Sequence, residues 1–229
     1  MSLKILIKFP TRGRWDKFVQ VFDKYTKYAS DNENIHYYIT ADLDDKDFNH
    51  RVGAMITNKA PNITITRGTS TGKIHACNRD MINSGDWDIV VLASDDMIPQ
   101  KMGWDKRLRE DMEKYYPDTD GVLWYNDGYV GQKLNTMCIM GRKYFDRFAY
   151  IYHPDYISLW SDNEFTEVSQ QLNKVKYSED ILFKHEHPAN CKVTSDKLYS
   201  MNEKYYQIDK ITYEKRKQHN FYLDGILTK

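Results

Sequence analysis

Two adjacent aspartates, Asp95 and Asp96, directly follow the apolar run Ile89-Val90-Val91-Leu92-Ala93. At the mouth of a buried strand two carboxylates repel each other and resist desolvation unless a cation or a set of donors offsets them. Carboxylate oxygen suits Mg²⁺ or Mn²⁺, ions that keep some waters and take substrate phosphates as remaining ligands. The alternative is that the pair caps the helix or turn that follows. Lys73 opens a predicted helix, whose amides and dipole favour anions and to which it adds charge; the alternative is an ordinary exposed lysine. The preceding "GTSTG" is not a phosphate-binding P-loop, because Ile74 stands where that motif needs Ser or Thr.

Positioning these groups requires strands that end beside them. Apolar and helical periodicities alternate: strands at 4–9, 35–40, 63–67 and 89–93, with helices at 15–28, 45–58 and 73–83 between them. Such β-then-α repetition predicts a parallel, doubly wound sheet whose ligands bind outside the carboxyl ends of the strands. The rule selects the loops "PTRGR", "TADLDD", "RGTSTGK" and "SDDMIP", all polar. Beyond Pro99 the expected elements are helices at 104–115, 142–147 and 163–172, strands at 121–124 and 134–141, and a strand pair at 175–177 and 181–184. One or two surface helices follow from Lys197 onward. One domain over 1–229 is expected, with halves at 1–100 and 101–190 and a helical extension at 191–229.

Lys plus Arg and Asp plus Glu both number 33 in 229 residues, so no global basic field draws in nucleic acid or anionic membrane. Any anionic ligand must be held locally. The apolar runs fall far below the roughly 20 residues of a membrane span. The start, "MSLKILIKFP", reads as a strand rather than a signal peptide. Cys77, Cys138 and Cys191 are odd in number and far apart, which points to a reducing, cytoplasmic setting and to small buried hydrophobes.

The ordered set Pro10-Thr11 with Arg14, Asp42, Gly72 with Ala76 and Asn78, Gly85-Asp86, and Ser94-Asp95-Asp96 with Pro99 resembles the nucleotide-binding half of GT-A glycosyltransferases, especially the inverting family-two type. The resemblance is good over 4–100 and looser over 120–190. Arg12-Gly13 replaces the family's usual Tyr-Asn, and "ADLDD" its commoner Asp-Asp-Gly-Ser. The implied fold is α/β and GT-A-like: a Rossmann-like, mostly parallel sheet flanked by helices, with a mixed acceptor-side half.

The resemblance implies metal-dependent transfer of a sugar, with inversion, from a nucleotide-diphosphate donor, UDP-linked, to a glycan or other hydroxyl acceptor. It places Thr11 and Arg12 beside the base, Asp42 on a nucleobase imide N–H, Gly72 and Lys73 near the diphosphate or base, and Asp95 on the ribose or a metal-bound water. Asp96 becomes the ligand of Mn²⁺ or Mg²⁺. A late histidine completes the metal site in many such enzymes, and His187, beside Pro188, is the expected one, with His185 as the alternative. Asp162 in "LWSDNEF" is the counterpart of the family's general base, with Glu164 in reserve; Ser161 or Asp162 followed by Glu164 or Glu167 is equally a helix-start pattern. Trp124, Tyr125, Asn126, Asp127, Tyr129 and Trp160 would form an acceptor platform, or simply pack. Two other functions stay open: a nucleotidyltransferase, for which "PTRGRW" is a poor triphosphate loop, and a non-catalytic nucleotide-sugar or glycan-binding module.

Overall fold

The computed structural model describes residues 2–48, 50–187 and 203–225. Over these residues seven strands form one sheet, in the order β3-β2-β1-β4-β7-β6-β8. The strands are β1 (Ile5–Thr11), β2 (Ile35–Asp42), β3 (Ile63–Gly68), β4 (Ile89–Leu92), β6 (Val122–Tyr125), β7 (Ile139–Gly141) and β8 (Val175–Ser178). β1 to β4 run parallel, β7 lies antiparallel to both β4 and β6, and β8 is parallel to β6. A separate antiparallel ribbon joins β5 (Met97–Pro99) to β9 (Phe183–His185).

Successive side chains of a strand leave on opposite faces, and β1 shows how this sorts the core. Ile5, Ile7 and Phe9 enter a cluster covered by α1 (Trp15–Tyr28), α2 (His50–Thr57) and α4 (Trp104–Tyr115), where Phe18, Phe22, Tyr25 and Trp104 pack. Leu6 enters the opposite cluster, under α3 (Lys73–Asn78), α5 (Arg142–Asp146), α6 (Ser161–Gln171) and α7 (Tyr206–Gln218). Lys8 also leaves on this second face and is fully buried. Its ammonium donates to the Arg79 carbonyl at 2.6 Å and to Thr40 Oγ1 at 3.2 Å, which makes the burial tolerable.

Several elements are shorter than the periodicity predicts. The helix expected from residue 45 begins at His50, because the Asp45 carboxylate takes the amides of Asp47 and Phe48 and holds that stretch as a turn. The helix expected to reach 83 stops at Asn78 and is followed by a 3₁₀ turn, Met81–Asn83. Asp80 there has φ 65°, and the Asn78 side chain is engaged by the backbone of Ile151 and Tyr152. The strand expected at 134–141 is ordered as strand only over Ile139–Gly141. The two late strands are not partners: β8 joins the main sheet through β6, and β9 pairs with the unforeseen β5. Among the described residues the tail contains α7 and a 3₁₀ turn at Asn220–Gly225; positions 197–202 of the expected tail lie outside the described residues, as do Pro188 and Cys191.

Candidate functional site

The carboxyl ends of β1, β2 and β3 are tied together by arginines. Thr11, buried, closes β1 beside Ala41. Arg12 then donates at 2.8 Å to Asp42 Oδ2 and through both guanidinium nitrogens to Asp44, at 2.5 and 2.8 Å. The Gly13 amide donates to Asp45 Oδ2 at 2.9 Å, so the first and second loops lock to each other. Asp42 Oδ1 accepts from Arg79 Nη1 at 3.2 Å, and the same guanidinium reaches Ser70 Oγ and the Ala41 carbonyl. Arg79 was invisible as a site residue in the sequence, where it reads as one more helical position. Its guanidinium lies against Gly68, where a Cβ would come within 3.3 Å of it.

Asp95 and Asp96 follow β4 and are both more than nine-tenths buried, at 7 % and 5 % exposure. A strand, β5, comes next, so the pair does not cap a helix. Burial pushes the Asp95 carboxyl up to about 6; Arg14, which donates to Oδ1 at 3.1 Å, opposes this, and Asp96 adds to it. Asp96 Oδ1 accepts from Ser94 Oγ, and His185 Nε2 stands 3.7 Å from the same oxygen. The β5–β9 ribbon sets that approach, pairing Met97 with His185 while the Glu186 amide donates to the Asp96 carbonyl at 2.8 Å. His185 Nδ1 is buried without a hydrogen-bond partner. The His187 ring lies 5.6 Å from that of His185, centroid to centroid, and burial, reinforced by His185, lowers its pKa to about 4. His187 is therefore a neutral imidazole, the form that ligates metals.

Gly72 lies just before α3 because another chain segment crosses there: a Cβ would sit 2.6 Å from the Ile157 carbonyl oxygen, which accepts the Ile74 amide at 3.0 Å. Lys73 is exposed at the head of α3. Asp162 occupies the first turn of α6, partly buried, its Oδ1 accepting the Asn163 amide at 3.0 Å. Burial raises its pKa, and the charges of Lys73 and His185 both pull the other way. These three groups, from α3, α6 and β9, therefore face one another electrostatically.

Other expected residues are engaged elsewhere. Glu164, the reserve base, is buried in a bidentate pair with Arg216 at 2.7 and 2.9 Å and accepts the Tyr156 hydroxyl at 2.7 Å. Trp124 packs edge-on against Tyr177, and the Tyr125 hydroxyl donates to Asp111. The Asp127 carboxylate takes three successive amides, 129 to 131, and the Thr136 hydroxyl. These are packing and turn-forming roles.

Among the described residues no group of three or more His, Cys, Asp and Glu side chains forms a ready-made metal cage. What converges is one carboxylate, Asp96, with the imidazole of His185 beside it and that of His187 next to His185. The carboxylate suits Mn²⁺ or Mg²⁺ as part of a shell that phosphate and water complete, an imidazole beside it favours the transition ion, and the buried His185 Nδ1 is left without a protein hydrogen-bond partner. Among the described residues no helix is long and apolar enough to cross a membrane.

No family model matches the chain. No curated protein matches it. Solved structures do. The mannosyltransferase PcManGT from Pyrobaculum calidifontis, in complex with GDP-Man and Mn²⁺, superposes with a TM-score of 0.62 at 12 % identity, over 80 % of this chain and 57 % of that one. TarS 1–349 of S. aureus, in complex with UDP-GlcNAc, gives 0.65 at 14 % identity, over 86 % and 61 %. The match thus spans only 57 % and 61 % of those proteins. At such identities the likeness establishes the fold alone, the GT-A-like α/β fold that these two proteins share.

Proposed function

We propose that this chain is a glycosyltransferase that moves a sugar from a nucleotide-diphosphate donor, UDP-linked, to an acceptor hydroxyl, with a divalent metal and with inversion. The observation that carries the reading is the approach of His185 to Asp96, 3.7 Å apart beyond the carboxyl end of β4, with Asp162 of α6 within electrostatic reach of His185 and of Lys73.

Thr11, Arg12 and Asp42 line the base end; each Asp42 oxygen accepts from one arginine and keeps a second acceptor site for a nucleobase N–H. Asp95 accepts from the ribose. Asp96, with His187 or the nearer His185, would hold Mn²⁺ or Mg²⁺, which would offset charge on the departing diphosphate. Gly72 lets the chain pass close to the diphosphate, and Lys73 adds a cation there. Asp162 takes the acceptor proton as that oxygen bonds to the anomeric carbon and the bond to the diphosphate breaks. Burial raises the basicity of its carboxylate, which favours this transfer.

A panel of nucleotide sugars assayed with and without Mn²⁺ tests the reading. Asp96→Ala should lose both Mn²⁺-dependent donor binding and transfer, and Asp162→Asn should keep donor binding and lose transfer. An Asp162→Asn protein that transfers normally removes the base assignment. Release of pyrophosphate instead of a nucleoside diphosphate would mark a nucleotidyltransferase, and donor binding with no turnover a non-catalytic module.

A further inference from the structure

The segment that carries Asp162 is held from behind by the far end of the chain. Asp209, fully buried on α7, accepts three successive amides: Ile157 N at 2.9 Å on Oδ1, and Ser158 N at 2.8 Å and Leu159 N at 2.7 Å on Oδ2. One carboxylate thus takes three consecutive amides, 157 to 159, of the irregular segment that leads into α6. The next residue, Trp160, has φ 63° and ψ −10°, a left-handed conformation that is costly for a bulky side chain and persists only where its surroundings enforce it. The enforcing contacts come from α7: Tyr213 and Tyr206 lie 5.1 and 5.5 Å from the indole, and Lys210 Nζ 5.9 Å. A helical turn further on, Arg216 grips Glu164. On its other side the same loop meets α3, where the Ile157 carbonyl accepts the Ile74 amide over the space left by Gly72. The strained residue stands two positions before Asp162.

We propose that α7 is a positioning element of the transfer site and that Asp209 is its positioning residue, fixing the Trp160 turn so that Asp162 is aimed at the acceptor. The proposal rests on the glycosyltransferase reading above. Its logic is geometric: a misplacement of about 1 Å in a reacting group costs on the order of 10²-fold in rate. The base and ribose end, built on β1, β2 and β4 and their loops, is held by separate contacts, and among the described residues the loop touches the diphosphate side only through the Ile157–Ile74 bond, so α7 should govern turnover far more than donor affinity.

Asp209→Asn keeps the shape but offers one acceptor atom where the carboxylate offers two. Donor titration and transfer kinetics on the folded full chain should show donor affinity within about twofold of wild type and kcat lower by about tenfold or more. A kcat within about twofold of wild type, or a fall in kcat matched by the fall in donor affinity, overturns the proposal. Should Asp209→Asn fail to fold, Tyr206→Ala answers the same question, because this exposed residue of α7 can be truncated without opening the core and its ring is one of those that hold the indole. The same split is expected, and unchanged kcat overturns it. Failure of the underlying reading is distinct: there the wild-type chain itself transfers no sugar from any donor.

Discussion

Arg79 and Asp42 face each other across the carboxyl edge of the sheet, Nη1 to Oδ1 at 3.2 Å, while Arg12 holds the other oxygen of the same carboxylate. A planar guanidinium can span Asp42, Ser70 and the Ala41 carbonyl together; an ammonium cannot. Arg79→Lys should therefore lower donor affinity by about tenfold and stability by about 1–3 kcal/mol, through polar groups left unpaired. Donor titration alongside urea unfolding measures both; unchanged donor affinity would show that Arg12 alone suffices for Asp42.

Gly72→Ala puts a Cβ within 2.6 Å of the Ile157 carbonyl oxygen and 2.8 Å of its Cγ2. Backbone cannot yield as a flexible side-chain end can, so the loop must move. The expected loss is about 1–3 kcal/mol in the denaturant midpoint, with reduced turnover because the displaced loop leads into Asp162.

Lys8 gives a pH signature. Burial pushes its pKa from an ordinary 10.5 down to about 7. Below 7 both folded and unfolded chains hold the proton and the full penalty stands. Between 7 and 10.5 the unfolded chain holds a proton that the folded one has released, so stability rises with pH, by up to ~1.4 kcal/mol per unit. Above 10.5 the penalty is gone. Lys8→Met removes this titration, so wild type should gain on the variant steadily from pH 7 to 10 in paired thermal melts. Parallel pH curves would refute the assignment.

The Glu164–Arg216 pair separates breaking from replacing. Arg216→Met leaves a carboxylate buried and uncompensated and should cost about 3–5 kcal/mol in urea unfolding. Replacing both partners by well-packed apolar residues should recover most of that loss. A double variant as unstable as the single one would show that the pair contributes more than charge balance.

The parallel half of the sheet was legible because each of its strands pairs with a neighbour of matching periodicity, and the loops that end β1, β2 and β4 carry their polarity in the open. Asp95 and Asp96 could be singled out on that ground, and Thr11 and Asp42 through the resemblance that their loops carry. Arg79 could not, since it follows Asn78 within an apparently continuous helical pattern and is turned inward only by the break at Asp80. Asp209 was equally hidden: an acidic residue among the lysines and tyrosines of a surface helix declares nothing until the amides of 157 to 159 stand opposite. The β5–β9 ribbon escaped because three-residue strands have no periodicity to read. Length misjudgements in α2 and α3 have different causes: the Asp45 carboxylate takes the local amides of Asp47 and Phe48, whereas α3 ends where Asn78 turns its side chain to the backbone of Ile151 and Tyr152 and Asp80 adopts φ 65°.

That ribbon has a kinetic consequence. Met97 and His185, the residues it pairs, are about 90 positions apart, and closing so long a loop loses entropy before any contact compensates. The strands β1, β2 and β3, whose pairs join residues roughly 30 positions apart, are expected to become native first. β4 reaches β1 across more than 80 positions, so the turn that holds Asp96 and the ribbon that brings His185 to it both arrive late.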